Sequence, residues 1–404
     1  MHAGANRHMY ARNKKGIRLM QEKQEKIDNR KPPASNSLMD FALDSTGSLI
    51  MIPLISILLI FILSFIFSTT PARTLFFFFF GPFRNVYNFG NMINSAIPLM
   101  LGGLGVSIAM KTGNLNLGGE GQLYAGAFTA TITALVLSHL GFIGGFIAIL
   151  AGMFVAGFAG SLSGVFKVKW NTSELITTFL ISNILLRVVN YLVNGPFLNP
   201  ETNLQATRKI DIALRLPRIL QPSNLSSALF ITLAVIVAAH IFLYRTRRGY
   251  EFRIAGANEV FARYGGINTK LNTIIAMFLS GALYGLAGGL AIFGTHYSTI
   301  KDFSDGLGWS GLAVALIARF YPPAIIPASL FFAWIGSGAR IAMQNSGLTF
   351  ETAFIVQAAV FFLATSMSLA VISKKWLSAL FNKQKKQGLL FRKKTQAGQK
   401  EGQQ

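Results

Sequence analysis

The sequence predicts an all-α polytopic membrane protein of about ten transmembrane helices in two related halves. Three observations predict it. Hydrophobic residues make up 52% of the 404 positions and charged residues only 13%, for a mean hydropathy of +0.47. Apolar runs recur at lengths near the roughly 20 residues that a helix needs to cross about 30 Å of hydrocarbon. The net charge of +22 collects in the tails and a few polar connections, as positive charge does on the cytoplasmic side. A membrane topology accounts for that charge, so no nucleic-acid partner is expected. The absence of cysteine excludes a disulfide framework and a thiolate metal site.

Residues 1–47 are a basic tail with too few apolar residues to build a core, and disorder is expected. Residues 48–373 are the transmembrane domain. Its first run, 49–67, is longer than a signal-peptide core of about 7–15 residues and lacks a small-residue cleavage site after it. Residues 71–90 contain Phe76 to Phe80, a run too short to span, expected at the outer interface or packed on the bundle. A span over 91–110 ends at Lys111. Residues 111–122 are Gly-rich and polar, and irregular backbone of this kind is tolerated in a membrane protein only where protein or a water-filled cavity satisfies it. Spans follow at 121–138 and 142–165, rich in the small residues that let helices approach closely. Asn171 and Glu174 have capping-box spacing and open a helix to about Val193 that carries Asn183, Arg187 and Asn190. Residues 195–226 form the longest polar segment between spans and are external by alternation.

A span over 227–244 leads into 245–272, a basic cytoplasmic loop with Arg245, Arg247, Arg248, Arg253, Arg263 and Lys270. Within it, 251–264 is expected to form one short helix broken at Gly265–Gly266. Spans at 273–294, 308–320 (short), 324–343 and 352–372 complete the domain, with a turn at Pro322–Pro323. The tail 374–404 is again basic, so both termini are expected in the cytoplasm, in reach of anionic membrane lipid. The breaks NLNLGGEGQ and KDFSDGLGWSG each interrupt a small-residue helix, an echo typical of transporters built from two halves.

No catalytic constellation is present. His2, His8, His139, His240 and His296 are scattered. No HExxH or GxSxG occurs, and Lys111–Thr112 follows Met110 rather than the glycine of a nucleotide-binding loop. The chain is therefore not expected to be an enzyme or to bind a cofactor or metal. An ion-coupled secondary transporter is the rival reading, but such proteins usually keep a carboxylate or histidine in mid-membrane, whereas Glu120, Glu174 and Glu351 fall at span ends. A structural membrane scaffold would have no use for the two breaks. Asn91, Asn94, Asn114, Asn116 and Gln122 can donate and accept hydrogen bonds, and read either as the lining of a solute path or as helix–helix bonds. Glu120, Arg187 and Trp309 join them as path candidates. Phe293, Tyr297 and Trp309 could stack on a ring, or serve only as interface aromatics.

Three stretches carry a family resemblance: RGYEFRIAGANEVFARYGGINTKLN, KTGNLNLGGEGQLYAGA and GLGWSGLAVALIARFYP. Together they resemble the permease subunits of bacterial ABC importers for branched-chain amino acids, sugars and nucleosides, the nucleoside branch above all. The resemblance implies a cytoplasmic coupling helix seated in a partner ATPase, which would use the ATP, with Arg253, Gly256, Asn258, Ala262, Gly266 and Ile267 matching the family pattern and Ala255, with Gly256 and Ala262, allowing close packing. It further implies a second, related permease, an external substrate-binding protein, and a place in the bacterial inner membrane. A nucleoside is the expected solute, with riboflavin, a sugar or a branched-chain amino acid as alternatives. Phe261, in place of a usual small residue, and ARFYPP depart from the pattern.

Overall fold

The structure is a computed structural model that describes residues 70–346, a few positions between 57 and 68, and residues 355 and 358. The tails, most of the run 49–67 and the run 352–372 lie outside the described residues. Eleven α-helices and no strand occur among the described residues. In chain order they are α1 (Pro71–Phe80), α2 (Val86–Met110), α3 (Gly119–Val136), α4 (Gly141–Trp170), α5 (Glu174–Asn194), α6 (Ala228–Arg245), α7 (Arg247–Ala257), α8 (Glu259–Tyr264), α9 (Thr269–Ala291), α10 (Leu307–Ile317) and α11 (Pro322–Ser346). Six helical stretches are long and apolar enough to cross a membrane: α2, α4, α5, α6, α11, and α9 with its π-helical extension to His296.

Helix α9 is the centre. It packs on α4, α3 and α2, while α10 and α11 close on the other side of α2. The packing follows from side-chain size. A Cβ on Gly126 would come within 2.5 Å of Gly285 Cα, and one on Gly285 within 2.6 Å of Gly152 O. Thus α3, α4 and α9 meet backbone to backbone, which glycine alone permits. The apolar window of α9 is 72% buried, against 22% for α5, so α5 lies on the flank of the bundle.

The short phenylalanine run does pack on the bundle. In α1, Phe78 is fully buried against α11, and Trp334 Nε1 donates to Phe79 O at 3.2 Å. Three local expectations are corrected. Asn171 does not cap α5: it ends α4 in the left-handed region, φ 52°, and α5 starts at Glu174 after Ser173. Asparagine tolerates that conformation, so it serves a helix end as readily as a start. Residues 251–264 are two helices, because Asn258 leaves helical geometry and its side chain caps α8 through Phe261 N. Pro322 and Pro323 form the first turn of α11, where a missing N–H loses no bond.

The 195–226 segment is folded. Thr207 N donates to Thr299 O at 3.0 Å and Leu216 N to Phe293 O at 2.9 Å, and Ile210 and Leu214 are buried. It covers the chain between α9 and α10 at one end of the bundle. The opposite end gathers Lys111, Lys167, Arg245 and the α7–α8 pair.

Candidate functional site

The polar break between α2 and α3 is a hydrogen-bonded knot. Asn116 Nδ2 donates to Gln122 Oε1 at 2.7 Å and to Ser280 Oγ of α9 at 3.0 Å, and its Oδ1 accepts from Gly118 N. Asn114 Nδ2 donates to Thr112 Oγ1 at 2.7 Å, and Asn114 Oδ1 accepts from Lys167 Nζ at 2.8 Å. Lys167 also pairs with Glu174 at 2.9 Å. Thr178 and Ser182 of α5 take the backbone N–H groups of Leu117 and Gly121. Asn114, Asn116 and Gln122 are at most 1% exposed, so these amides hold α3, α4, α5 and α9 around the break. An unsatisfied buried amide would cost about 1–3 kcal/mol, which is why irregular backbone here needs this many polar side chains.

Glu120 joins the two breaks. One carboxylate oxygen accepts from Gly306 N at 3.0 Å and the other from Gly308 N at 2.7 Å. It thereby caps α10, whose N-terminal amides lack helical partners and favour an anion. Tyr284 OH of α9 donates to Gly308 O at 3.2 Å. The two Gly-rich segments singled out in the sequence are therefore one contiguous structure.

The α7–α8 pair sits directly on the first break. A Cβ on Gly256 would lie 2.9 Å from Gly113 N, so α7 rests backbone on backbone there. Ala255 and Ala262 are buried, whereas Asn258 and Gly266 are exposed, the latter at φ 76°. The Arg253 guanidinium lies 5.0 Å from the Tyr244 ring centre and Lys111 Nζ 6.0 Å from it. Burial, with the Arg253 charge beside it, holds the Lys111 ammonium below its usual pKa. Beside the exposed charges of Arg247, Arg248, Glu259 and Arg263, the pair turns three large apolar or aromatic side chains outward: Val260 is 63%, Phe261 64% and Tyr264 90% exposed. Only the departure at Phe261 signalled this face in the sequence.

The remaining candidates fall in two places. Arg187 is exposed on α5 and forms no ion pair or hydrogen bond among the described residues. Asn183, one turn earlier, bonds only its own helix at Phe179 O. Asn190, one turn later, is held by Tyr124 and Asp302, each at 2.7 Å. Trp309 is half exposed, 6.2 Å from the Phe179 ring. These residues mark one polar stripe on an otherwise apolar flank. At the end covered by residues 195–226, a cavity of about 330 Å³ contains Asn94, whose amide donates to Thr295 Oγ1 at 3.0 Å. Asn91 is nearby and accepts from Asn224 N. The cavity also holds Asp305 and Arg340, which sequence reasoning missed: Arg340 lies near the end of a span, where a cation draws no notice. Phe293 is buried, and Tyr297 stacks under Arg215 at 4.5 Å.

A family model described as "Branched-chain amino acid transport system / permease component" matches residues 88–365. The chain is 33% identical over 303 residues to the probable riboflavin import permease protein RfuC of Treponema pallidum (strain Nichols), covering 74% of this chain and 80% of that protein. It is 28% identical over 302 residues to the guanosine ABC transporter permease protein NupP of Bacillus subtilis (strain 168), covering 73% and 86%. The same bacterium's guanosine ABC transporter permease protein NupQ is 26% identical over 255 residues, covering 60% and 78%.

Proposed function

Because this chain belongs to the branched-chain amino acid transport system permease family, we propose that it is the permease subunit of an ATP-driven importer whose solute is a nucleoside. The ion-coupled reading is set aside by family membership. Riboflavin is the second reading, favoured by the 33% identity to a probable riboflavin permease. The six long spans, α3, α10 and the apolar runs 49–67 and 352–372 make about ten crossings. The basic tails and the basic α7–α8 end would lie in the cytoplasm of a bacterial inner membrane, with an external binding protein at the other end.

The observation that carries this reading is the seat of α7 on the first break. A partner ATPase gripping α7–α8 would move Lys111–Gly113, and through Glu120 the start of α10, without an intervening flexible link. Val260, Phe261 and Tyr264 are the face offered to the ATPase, while Ala255, Gly256 and Ala262 hold the pair on the permease and Arg253 packs on Tyr244. The exposed stripe of Asn183 and Arg187, with Trp309 beside it, would face a second permease across a polar path. A charge at mid-bilayer against lipid costs about 2.5–3.5 kcal/mol even on the mildest scale. NupP and NupQ of one bacterium, both guanosine permeases by name, support a pair of related chains.

Co-purification with the ATPase tests this. Phe261→Asp and Val260→Asp are expected to lose the ATPase while the permease remains folded in the membrane. Gly256→Arg, which strikes the seat itself, is expected to destabilise the α7–α8 pair as well. ATPase retained at wild-type yield by both aspartate variants would refute the docking face.

A further inference from the structure

The outer cavity holds two charged side chains that the fold itself does not use. Arg340 lies in α11, inside a candidate membrane span. Its guanidinium reaches only the hydroxyls of Ser95 at 3.4 Å and Ser337 at 3.3 Å, which leaves most of its five donors open. Asp305 lines the same cavity, and no side-chain hydrogen bond or ion pair involves it among the described residues. Its backbone is left-handed, φ 31°, in a segment where Tyr297 at 61° and Asp302 at 55° are left-handed too. Non-glycine residues held in that region cluster where function demands it. The same cavity is lined by Phe303 and His296, ring centres 5.2 Å apart, and by the Asn94–Thr295 pair.

We infer that this cavity is a solute site for a neutral heterocycle with carbonyl oxygens on one edge and vicinal hydroxyls on its substituent, Arg340 taking the carbonyl edge and Asp305 the hydroxyls. The inference rests on the importer reading above and adds the solute's chemical class and orientation. Asp305 and Arg340 are both exposed at the cavity wall, and one cation and one carboxylate there balance each other, so a neutral solute matches the wall's net charge. A guanidinium donates two parallel bonds to adjacent acceptors such as O6 and N7 of guanine, whereas adenine offers an amino donor at that edge. A carboxylate has only acceptors, which vicinal hydroxyls satisfy. Phe303 and His296 supply an aromatic wall for the ring. Oxopurine ribosides and flavins with a ribityl chain share this chemistry.

The test is initial uptake at saturating solute by vesicles holding the complete importer, with guanosine, 2′,3′-dideoxyguanosine, adenosine, riboflavin and leucine. The binding protein is the same throughout, so changes in solute ratio belong to this chain. Asp305→Asn is expected to lower guanosine uptake about 10-fold while dideoxyguanosine uptake holds, since it loses bonds to a charged group. Arg340→Gln is expected to lower guanosine or riboflavin uptake about 10-fold relative to adenosine, and Arg340→Lys, which keeps the charge but loses the fork, to fall between. Unchanged ratios, or an equal fall for every solute, overturn the site and leave the importer reading standing. Leucine uptake by the wild type with neither guanosine nor riboflavin overturns the nucleoside reading and the site together.

Discussion

At the scale of single residues, charge decides the consequences. Glu120 Oε1 and Oε2 accept from Gly306 and Gly308, and bonds to a charged group contribute about 1.5–3 kcal/mol. Glu120→Gln keeps the shape but turns one acceptor into a donor against a backbone N–H. It is expected to destabilise the purified permease by about 2 kcal/mol, read as a lower thermal midpoint. Lys111 acts in the opposite sense. Burial and Arg253 lower its pKa from the ordinary 10.5, so the folded state binds that proton less tightly than the unfolded chain does. The charged form is therefore penalised by folding at neutral pH. The penalty shrinks as pH rises through the lowered value and is gone above 10.5. Lys111→Met is expected to raise the thermal midpoint at pH 7, with the gain fading at alkaline pH; a gain independent of pH would assign it to packing instead. Residue types were legible in the sequence, their partners less so. Asn116 and Gln122 stood out as polar, but that they bond each other and Ser280 of α9 depends on a contact 164 positions away in the chain.

At the scale of elements, hydropathy located the helices well, because an apolar run of span length has few other uses. It failed where a short side chain decides. Asn171 ends a helix instead of starting one, and Asn258 divides one expected helix into α7 and α8. Both follow from a side chain that caps or turns equally well, so tertiary contacts choose. Helix α5 shows the reverse: Arg187 was visible as a charge inside a span, and the structure leaves it on the exposed flank. If that flank faces a water-accessible path between two permeases, Asn183→Cys and Arg187→Cys will react with a membrane-impermeant thiol reagent in the assembled importer, and substrate or ATP will alter the rate. The chain has no cysteine of its own, so each label reports one position. Inert thiols in every state would place the stripe against lipid or a dry interface.

At the scale of the whole molecule, the membrane class and family could be read from composition and three motifs. The cavity beneath residues 195–226 could not, since Asn94, Asp305 and Arg340 come from three distant parts of the chain. Nor did the polarity of residues 195–226 reveal that they fold back over the chain after α9. The feature with the widest consequence is the Glu120 bridge. Because it ties the α2–α3 break to the start of α10, and α7 rests on that same break, a push on the α7–α8 pair would reach the start of α10 through packed backbone and two hydrogen bonds. In the importer proposed above, with a second permease beside this chain, the distance across the seam between the two chains would then be a coordinate that ATP changes.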